Sequence, residues 1–450
     1  METRKETDPL GERLIPKEAY YGIQTLRAIE NFPVSGIKTP LPFIKAYALI
    51  KKAAATANMQ VGWLEKKKAK AIIEACDEVL TGKLLDQFIV DVFQAGAGTS
   101  FNMNVNEVLA NKALGILGKP KGDYKTVSPN DHVNMGQSTN DTFPTALHIS
   151  VLMSLQPLLV ALDELADSFN ELGKKNNHIL KSGRTHLQDA VPVTIGQEFT
   201  AYGSAIANAA VELRNRQENL YAVALGGTAV GTGANAHPDY KSVAIAELAK
   251  LTGFPLKPAA NNFEALQSHR SAQTVSSGLK ELALELIRIA NDLRLLASGP
   301  TTGLNEIVLP PVQPGSSIMP GKVNPVMAEC LDMVAFQVVG NDLATSLAVQ
   351  AGQMDLNVMT PTIMYNMLFS IQILTNYIPV FTSKCVKGIT VNVKQCNRYL
   401  EKNPSLATLL SPYVGYLEAA KIAKQAQAEN RSVKEIALEK KLLKLHIHPF

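Results

Sequence analysis

The sequence is poor in the groups that usually hold metals or form cross-links. Of 450 residues only four are cysteine, Cys76, Cys330, Cys385 and Cys396, and no two have metal-ligand spacing. Scattered thiols of this kind are expected as buried, reduced side chains of a cytoplasmic protein, which argues against disulfides and zinc. The eight histidines form no HxxxH or HExxH pattern. His446 and His448 stand close together near the end, but a pair of ligands without a third makes weak evidence for metal. The net charge of +4 gives no reason to expect nucleic acid or an acidic membrane as partner. Met1 to Pro16 lacks the apolar centre of a secretory signal, and no long uncharged apolar run is expected, so no membrane-spanning helix is predicted. Strand-like alternation is confined to short pieces, which leaves little room for a sheet-based fold.

What is present is helical periodicity. Phe43, Ala46, Ile50, Ala53 and Ala57 repeat on one side of a helix over Phe43 to Leu64, and a second helix is predicted over Lys67 to Leu80. Leu147, Val151, Leu155, Leu158, Leu162, Leu165, Phe169 and Leu172 step by threes and fours. That pattern gives a long helix with a nearly heptad seam, kinked at Pro157. Further helices are predicted from about Gly196 to Leu220, Ser271 to Leu296, Val326 to Leu347 and Thr360 to Phe381. The chain is therefore expected to be all-α in three domains. Residues 1–140 form a mixed and helical N-terminal domain, 141–394 a central long-helix bundle, and 395–450 a small C-terminal helical domain. Apolar seams on more than one face exceed what one bundle core needs, so a helical oligomer is expected to share them.

Five polar or glycine-rich loops interrupt the helices. Pro314-Gly315-Ser316-Ser317-Ile318-Met319-Pro320-Gly321-Lys322-Val323-Asn324-Pro325 cannot continue a helix or a central strand, and Pro325 suits the first turn of the next helix. Its hydroxyls, ammonium and amide make either an anion site or an ordinary surface turn. Gln94 to Ser100 leads into a helix start where Asn102, Asn104 and Asn106 either cap the backbone or present amides to a ligand. Ser128 to Thr145 and Gly183 to Asp189 are dense in donors. Gly226 to Gly233 is rich in glycine, but no strand precedes it, so a dinucleotide site is not expected there.

The Pro314–Pro325 loop resembles the signature of the fumarase/aspartase superfamily. Gly98-Thr99-Ser100-Phe101-Asn102-Met103-Asn104, Gln137-Ser138-Thr139-Asn140-Asp141 and Gly183-Arg184-Thr185-His186-Leu187-Gln188-Asp189 resemble its other site segments, in the same order. Ala19-Tyr20-Tyr21-Gly22, Thr25-Leu26-Arg27-Ala28, Glu30-Asn31-Phe32, Ser138-Thr139-Asn140 and Pro325-Val326-Met327 are similar to the ammonia-releasing members. Asn262-Phe263-Glu264-Ala265-Leu266 and Pro129-Asn130-Asp131-His132 are similar to the water-adding ones. The resemblance favours reversible deamination of L-aspartate to fumarate and ammonia by anti-elimination through an enediolate.

By the same resemblance Ser316 is the general base. Thr99, Ser138, Thr139 and Ser317 donate to the carboxylate that becomes the enediolate. Thr185, Lys322 and Asn324 hold the other carboxylate, and Asn140 and His186 face the amino group. Glu329 pairs with His186 and fixes its tautomer. The resemblance further implies a homotetramer whose sites are each shared by three subunits, with no cofactor and no identified metal. Three features depart from the family pattern: Thr301-Thr302 where an arginine is usual, Gly136 where serine or cysteine is usual, and an early end in Leu445 to Phe450 that leaves the third domain incomplete or rebuilt. The alternatives are a fumarate hydratase and, in another class, a catalytically inactive structural homotetramer.

Overall fold

Where apolar residues recur every three or four positions the chain is helical. The computed structural model, which describes residues 2–442, is all-α in class. A hairpin of β1 (Thr3–Asp8) and β2 (Gly11–Pro16) leads to α1 (Ile23–Asn31), α2 (Leu41–Gln60), α3 (Lys66–Leu80) and α4 (Thr99–Ile116). Helix α5 (Thr139–Lys175) is followed by a second hairpin of β3 (Leu180–Thr185) and β4 (Gln188–Thr194). Then come α6 (Ile195–Gln217), α7 (Tyr240–Thr252), α8 (Asn262–Gln267) and α9 (Arg270–Leu296). After the loop that resembles the family signature, α10 (Val326–Gln350), α11 (Thr360–Lys384) and α12 (Val393–Lys402) precede the short helices α13 (Ser411–Val414), α14 (Tyr416–Glu429) and α15 (Val433–Glu439). His446, His448 and the rest of Leu445 to Phe450 lie outside the described residues.

Helices α2, α3, α6, α9, α10 and α11 start within two residues of where they are expected, and α10 and α11 run a few residues further, whereas α5 starts at Thr139, ahead of the apolar steps that begin at Leu147 and inside the stretch expected as a polar loop. The hairpins are the surprise. Both strands of the first are largely exposed, so no apolar–polar alternation marks them. A second difference concerns α5. Thr142 to Leu162 is an uncharged apolar run, contrary to expectation, and by length and composition it is the one helix among the described residues able to cross a membrane. Most of that stretch is buried inside the protein, as in a core helix.

The chain divides into two compact units. Unit 1 comprises Met1–Leu159, Val211–Glu281 and Gln337–Leu374; unit 2 comprises Val160–Ala210, Leu282–Phe336 and Thr375–Phe450. In unit 1 an aromatic knot forms where α2, α4 and α5 meet. The Phe43 ring lies 4.7 Å from Phe143 and 5.5 Å from Phe101, and Tyr47 lies 5.3 Å from Phe101. All four are fully buried, each contributing roughly 1.5–3 kcal/mol of burial. In unit 2 the C-terminal helices enclose an apolar core of their own, from Leu406 and Leu410 to Ile422, Val433 and Ile436.

Candidate active site

In unit 1 two helix amino-termini are laced together. Ala97 and Gly98 enter α4 with φ of +60° and +84°. Gly98 is required twice over, by that backbone and because a Cβ there would collide with the Phe143 ring. Asn102, one turn into α4, donates from Nδ2 to Thr139 Oγ1 at 2.8 Å and to Asn134 Oδ1 at 3.3 Å. Because the Thr139 oxygen accepts that bond, its own hydrogen is left to donate elsewhere. Ser138 Oγ likewise accepts from the Asn140 N–H at 3.1 Å. Asn140 Nδ2 donates to Ala229 O at 2.7 Å, which leaves Oδ1 as an acceptor. Thr99 stands exposed at the start of α4, one turn before Asn102. Thr99, Ser138, Thr139 and Asn140 thus gather at the positive ends of two helices, a setting that favours anions.

Residues that the sequence did not single out hold this cluster in place. Asp141 is fully buried, and its carboxylate accepts from the backbone N–H groups of Ser138 at 2.9 Å, Gly226 at 3.0 Å and Thr228 at 2.9 Å. The Gly226–Gly233 stretch is therefore a strap tied to the start of α5. Burial pushes the Asp141 carboxyl up to about 6, against the lowering effect of those three bonds and of Lys51. Of the three helix asparagines, Asn102 and Asn106 reach Asn134 while Asn104 bonds Ile89 N and Gln87 O. Apart from the contact of Asn102 with Thr139, their role is to brace loops.

In unit 2 the second hairpin presents Thr185 and His186. Thr185 pairs with Gln188, so the turn is the dipeptide His186-Leu187, with φ of +56° and +59°. Two-residue hairpins with both central residues left-handed normally use Asn-Gly. A histidine and a 70% exposed leucine in that conformation store strain at the tip. Leu187→Gly removes about 1–2 kcal/mol of that strain and adds a smaller entropic cost, so the urea midpoint should rise modestly while turnover falls as the tip loosens. A lower midpoint would discard the strain argument.

The stem of the hairpin is clamped. Arg184 donates to both oxygens of Glu306, at 2.9 and 3.1 Å, and Lys181 Nζ reaches Glu306 Oε2 at 3.1 Å and Glu198 Oε1 at 2.8 Å. Asn403, 1% exposed, donates to Ser182 Oγ at 3.0 Å and Ala190 O at 2.8 Å.

The loop before α10 is closed on itself by Gly315 N–H to Lys322 O at 2.8 Å and Asn324 Nδ2 to Gly315 O at 2.6 Å. Ser316 Oγ accepts from the N–H groups of Met319 at 2.9 Å and Ile318 at 3.2 Å. Two backbone donors on one serine oxygen stabilise negative charge there, the condition for a serine base. Ser317 and Lys322 are exposed, and Asn324 is half-buried. Glu329 lies half-buried in the first turn of α10, and among the described residues no hydrogen bond or ion pair joins it to His186. No group of three or more His, Cys, Asp or Glu side chains converges among the described residues, so a ligand would meet hydroxyls, amides and ammonium.

Comparison with known proteins adds to this geometry. The chain matches the family described as Lyase over residues 11–340 and the one described as Fumarase C C-terminus over residues 406–445. An aspartate ammonia-lyase of Bacillus sp is 50% identical over 97% of this chain and 94% of its own. A class II fumarate hydratase of Thermosynechococcus vestitus is 47% identical over 97% and 94%. The crystal structure of a fumarate lyase:delta crystallin from Brucella melitensis bound to cobalt superposes with a TM-score of 0.96, at 49% identity, covering 98% of this chain and 96% of that one.

Proposed function

Since this chain belongs to the lyase family of the fumarase/aspartase superfamily, we propose that its loops close around a four-carbon dicarboxylate in sites shared by three subunits of a homotetramer. The activity is that of a carbon–nitrogen lyase, the reversible deamination of L-aspartate to fumarate and ammonia. The observation that carries it is the set of aspartate ammonia-lyases 47–50% identical to the chain over nearly its whole length.

The chemistry follows from the groups described above. The proton to be removed sits on the carbon next to a carboxylate and is weakly acidic. The Ser316 alkoxide, held by the Ile318 and Met319 N–H groups, takes it onto Oγ. The electron pair passes into the carboxylate as an enediolate, where hydroxyls of Thr99, Ser138, Thr139 and Ser317 donate to it. The pair then returns to form the double bond as the carbon–nitrogen bond breaks and ammonia leaves with its electrons. Asn140 and His186 face that amino group, Glu329 of another subunit orients His186, and Thr185, Lys322 and Asn324 hold the second carboxylate.

Assembly is supported by a row of bare apolar side chains along α10. Met333, Phe336, Leu343 and Leu347 are 64%, 57%, 63% and 59% exposed at heptad-like spacing, a seam suited to another helix of the same kind. The protein is read as cytoplasmic. A second reading, hydration of fumarate to L-malate, is favoured by the 47% identical class II fumarate hydratase. The protein incubated with L-aspartate should release fumarate, followed by its ultraviolet absorbance, and with L-malate should not. Fumarate from malate alone would overturn the ammonia-lyase reading in favour of the hydratase, and fumarate from neither would point to an inactive structural relative.

A further inference from the structure

Under the Ser138–Thr139 turn lies a charge that the chemistry above leaves unused. Lys51, on α2, is fully buried. Its ammonium donates to Asn134 Oδ1 and to Gln137 Oε1, both at 2.9 Å, and both partners are neutral amides. The groups around it are Asp141 from α5, Cys76 from α3 and the Tyr47 ring of α2, whose centroid is 5.8 Å away. Among the described residues no carboxylate comes within ion-pair distance of it. A buried ammonium held by neutral groups alone costs several kcal/mol relative to water, and it is retained where an anion can offset it.

The hydrogen bonds lead from Lys51 straight to the anion-binding hydroxyls. Gln137 immediately precedes Ser138, and Asn134 Nδ2 donates to Gln137 O at 3.2 Å. Asn134 Oδ1, which accepts from Lys51, also accepts from Asn102, and Asn102 donates to Thr139 Oγ1. A positive charge at Nζ therefore backs the same turn whose hydroxyl oxygens accept from Asn102 and Asn140, leaving their hydrogens to donate elsewhere.

We propose that Lys51 is a positioning residue whose ammonium serves as the buried counter-charge of the dicarboxylate bound at Ser138 and Thr139, and that it gains its proton when that anion binds. The proposal rests on the dicarboxylate reading of the site. Burial lowers Lys51 to about 7, opposed by Asp141 and Cys76. Asp141 titrates lower, at about 6, while burial raises the Cys76 thiol and the Tyr47 hydroxyl well above neutrality, so both stay uncharged. Near neutral pH the empty site thus holds Lys51 partly as the amine. A bound anion favours the ammonium, so an N–H bond forms at Nζ and a buffer acid gives up the proton. The sign follows: at about pH 6 Lys51 is already charged and binding takes up little, whereas at about pH 8 uptake approaches one proton.

The test is calorimetry of the full-length protein with succinate, which has neither a double bond nor a leaving group. Titrations are run in two buffers of different ionisation enthalpy at each pH. Uptake that grows from about pH 6 to about pH 8 is expected. In Lys51→Met the uptake should vanish and the succinate Kd should rise roughly tenfold or more. Should that variant not fold, Gln137→Glu gives Lys51 a permanent carboxylate partner and should abolish the uptake instead. Succinate binding without pH-dependent uptake, or uptake that persists in the readable variant, overturns the role of Lys51 and leaves the site reading intact. No succinate binding together with no turnover of L-aspartate overturns both.

Discussion

Ser316→Ala should lower kcat for L-aspartate by about a thousandfold or more, within the usual range for a lost general base, and leave the size in solution and the melting temperature essentially unchanged. Both halves of that expectation come from the same geometry. The Ser316 oxygen accepts two backbone N–H groups, from Ile318 and Met319, and among the described residues its side chain has no other hydrogen bond. Those two donors lie in an exposed part of the loop, so water replaces the lost oxygen at little cost in stability. The same donors are what a serine alkoxide requires, and alanine offers no atom to receive the proton. KM should change little, because the proposed reading assigns the substrate carboxylates to other residues. Ser317→Ala, which on the proposed reading removes one enediolate donor and keeps the base, should lose less, roughly ten- to a hundredfold. If Ser316→Ala retained near-normal turnover, Ser316 would be a loop residue and the base would have to be sought elsewhere.

Much of this molecule is readable in its sequence, and what is not has a common cause. Long helices announce themselves through apolar steps of three and four, because a helix buries one stripe along its whole length. The Pro314–Pro325 loop announces itself through residues that cannot continue a helix. By contrast, Lys51 meets Asn134 and Gln137 across more than eighty residues, and Arg184 meets Glu306 across a greater span. No local pattern encodes such pairings, so the residues that brace the site looked like ordinary charges. The Thr185–His186 segment reads as a polar loop because its strands are short and its turn lacks the usual Asn-Gly. The apolar run from Thr142 to Leu162 goes against the expectation that no such stretch exists, and its composition alone does not separate a mostly buried core helix from a membrane span. Asn102, Asn104 and Asn106 could be read as caps or as ligand amides, and burial decides for bracing, with Asn102 alone touching a site hydroxyl.

Glu306→Ala should be the most destabilising single change in unit 2, at about 3–5 kcal/mol, because it strands buried cations. Glu306 is completely buried; Arg184 grips it with two bonds, and Lys181, itself 1% exposed, leans on the same carboxylate. Without Glu306, Lys181 keeps its ion pair with Glu198, and Arg184 keeps the Tyr399 ring, 5.7 Å from its guanidinium carbon, and the more distant charges of Asp189 and Glu198. Arg184 directly precedes Thr185, so the loss should reach the strained tip and lower kcat/KM even at temperatures where the variant is folded. Stability and positioning can be separated. Replacing the two cations and Glu306 with apolar residues, as in Lys181→Met, Arg184→Leu and Glu306→Leu together, removes the stranded cations, leaves only the partly exposed Glu198 carboxylate to turn to water, and should restore much of the urea midpoint. It should not restore turnover, because packing alone does not fix the direction of the hairpin as a bidentate arginine does. If the triple variant recovered both, the network would serve stability alone, and the placement of His186 would have to come from Asn403 and the C-terminal helices.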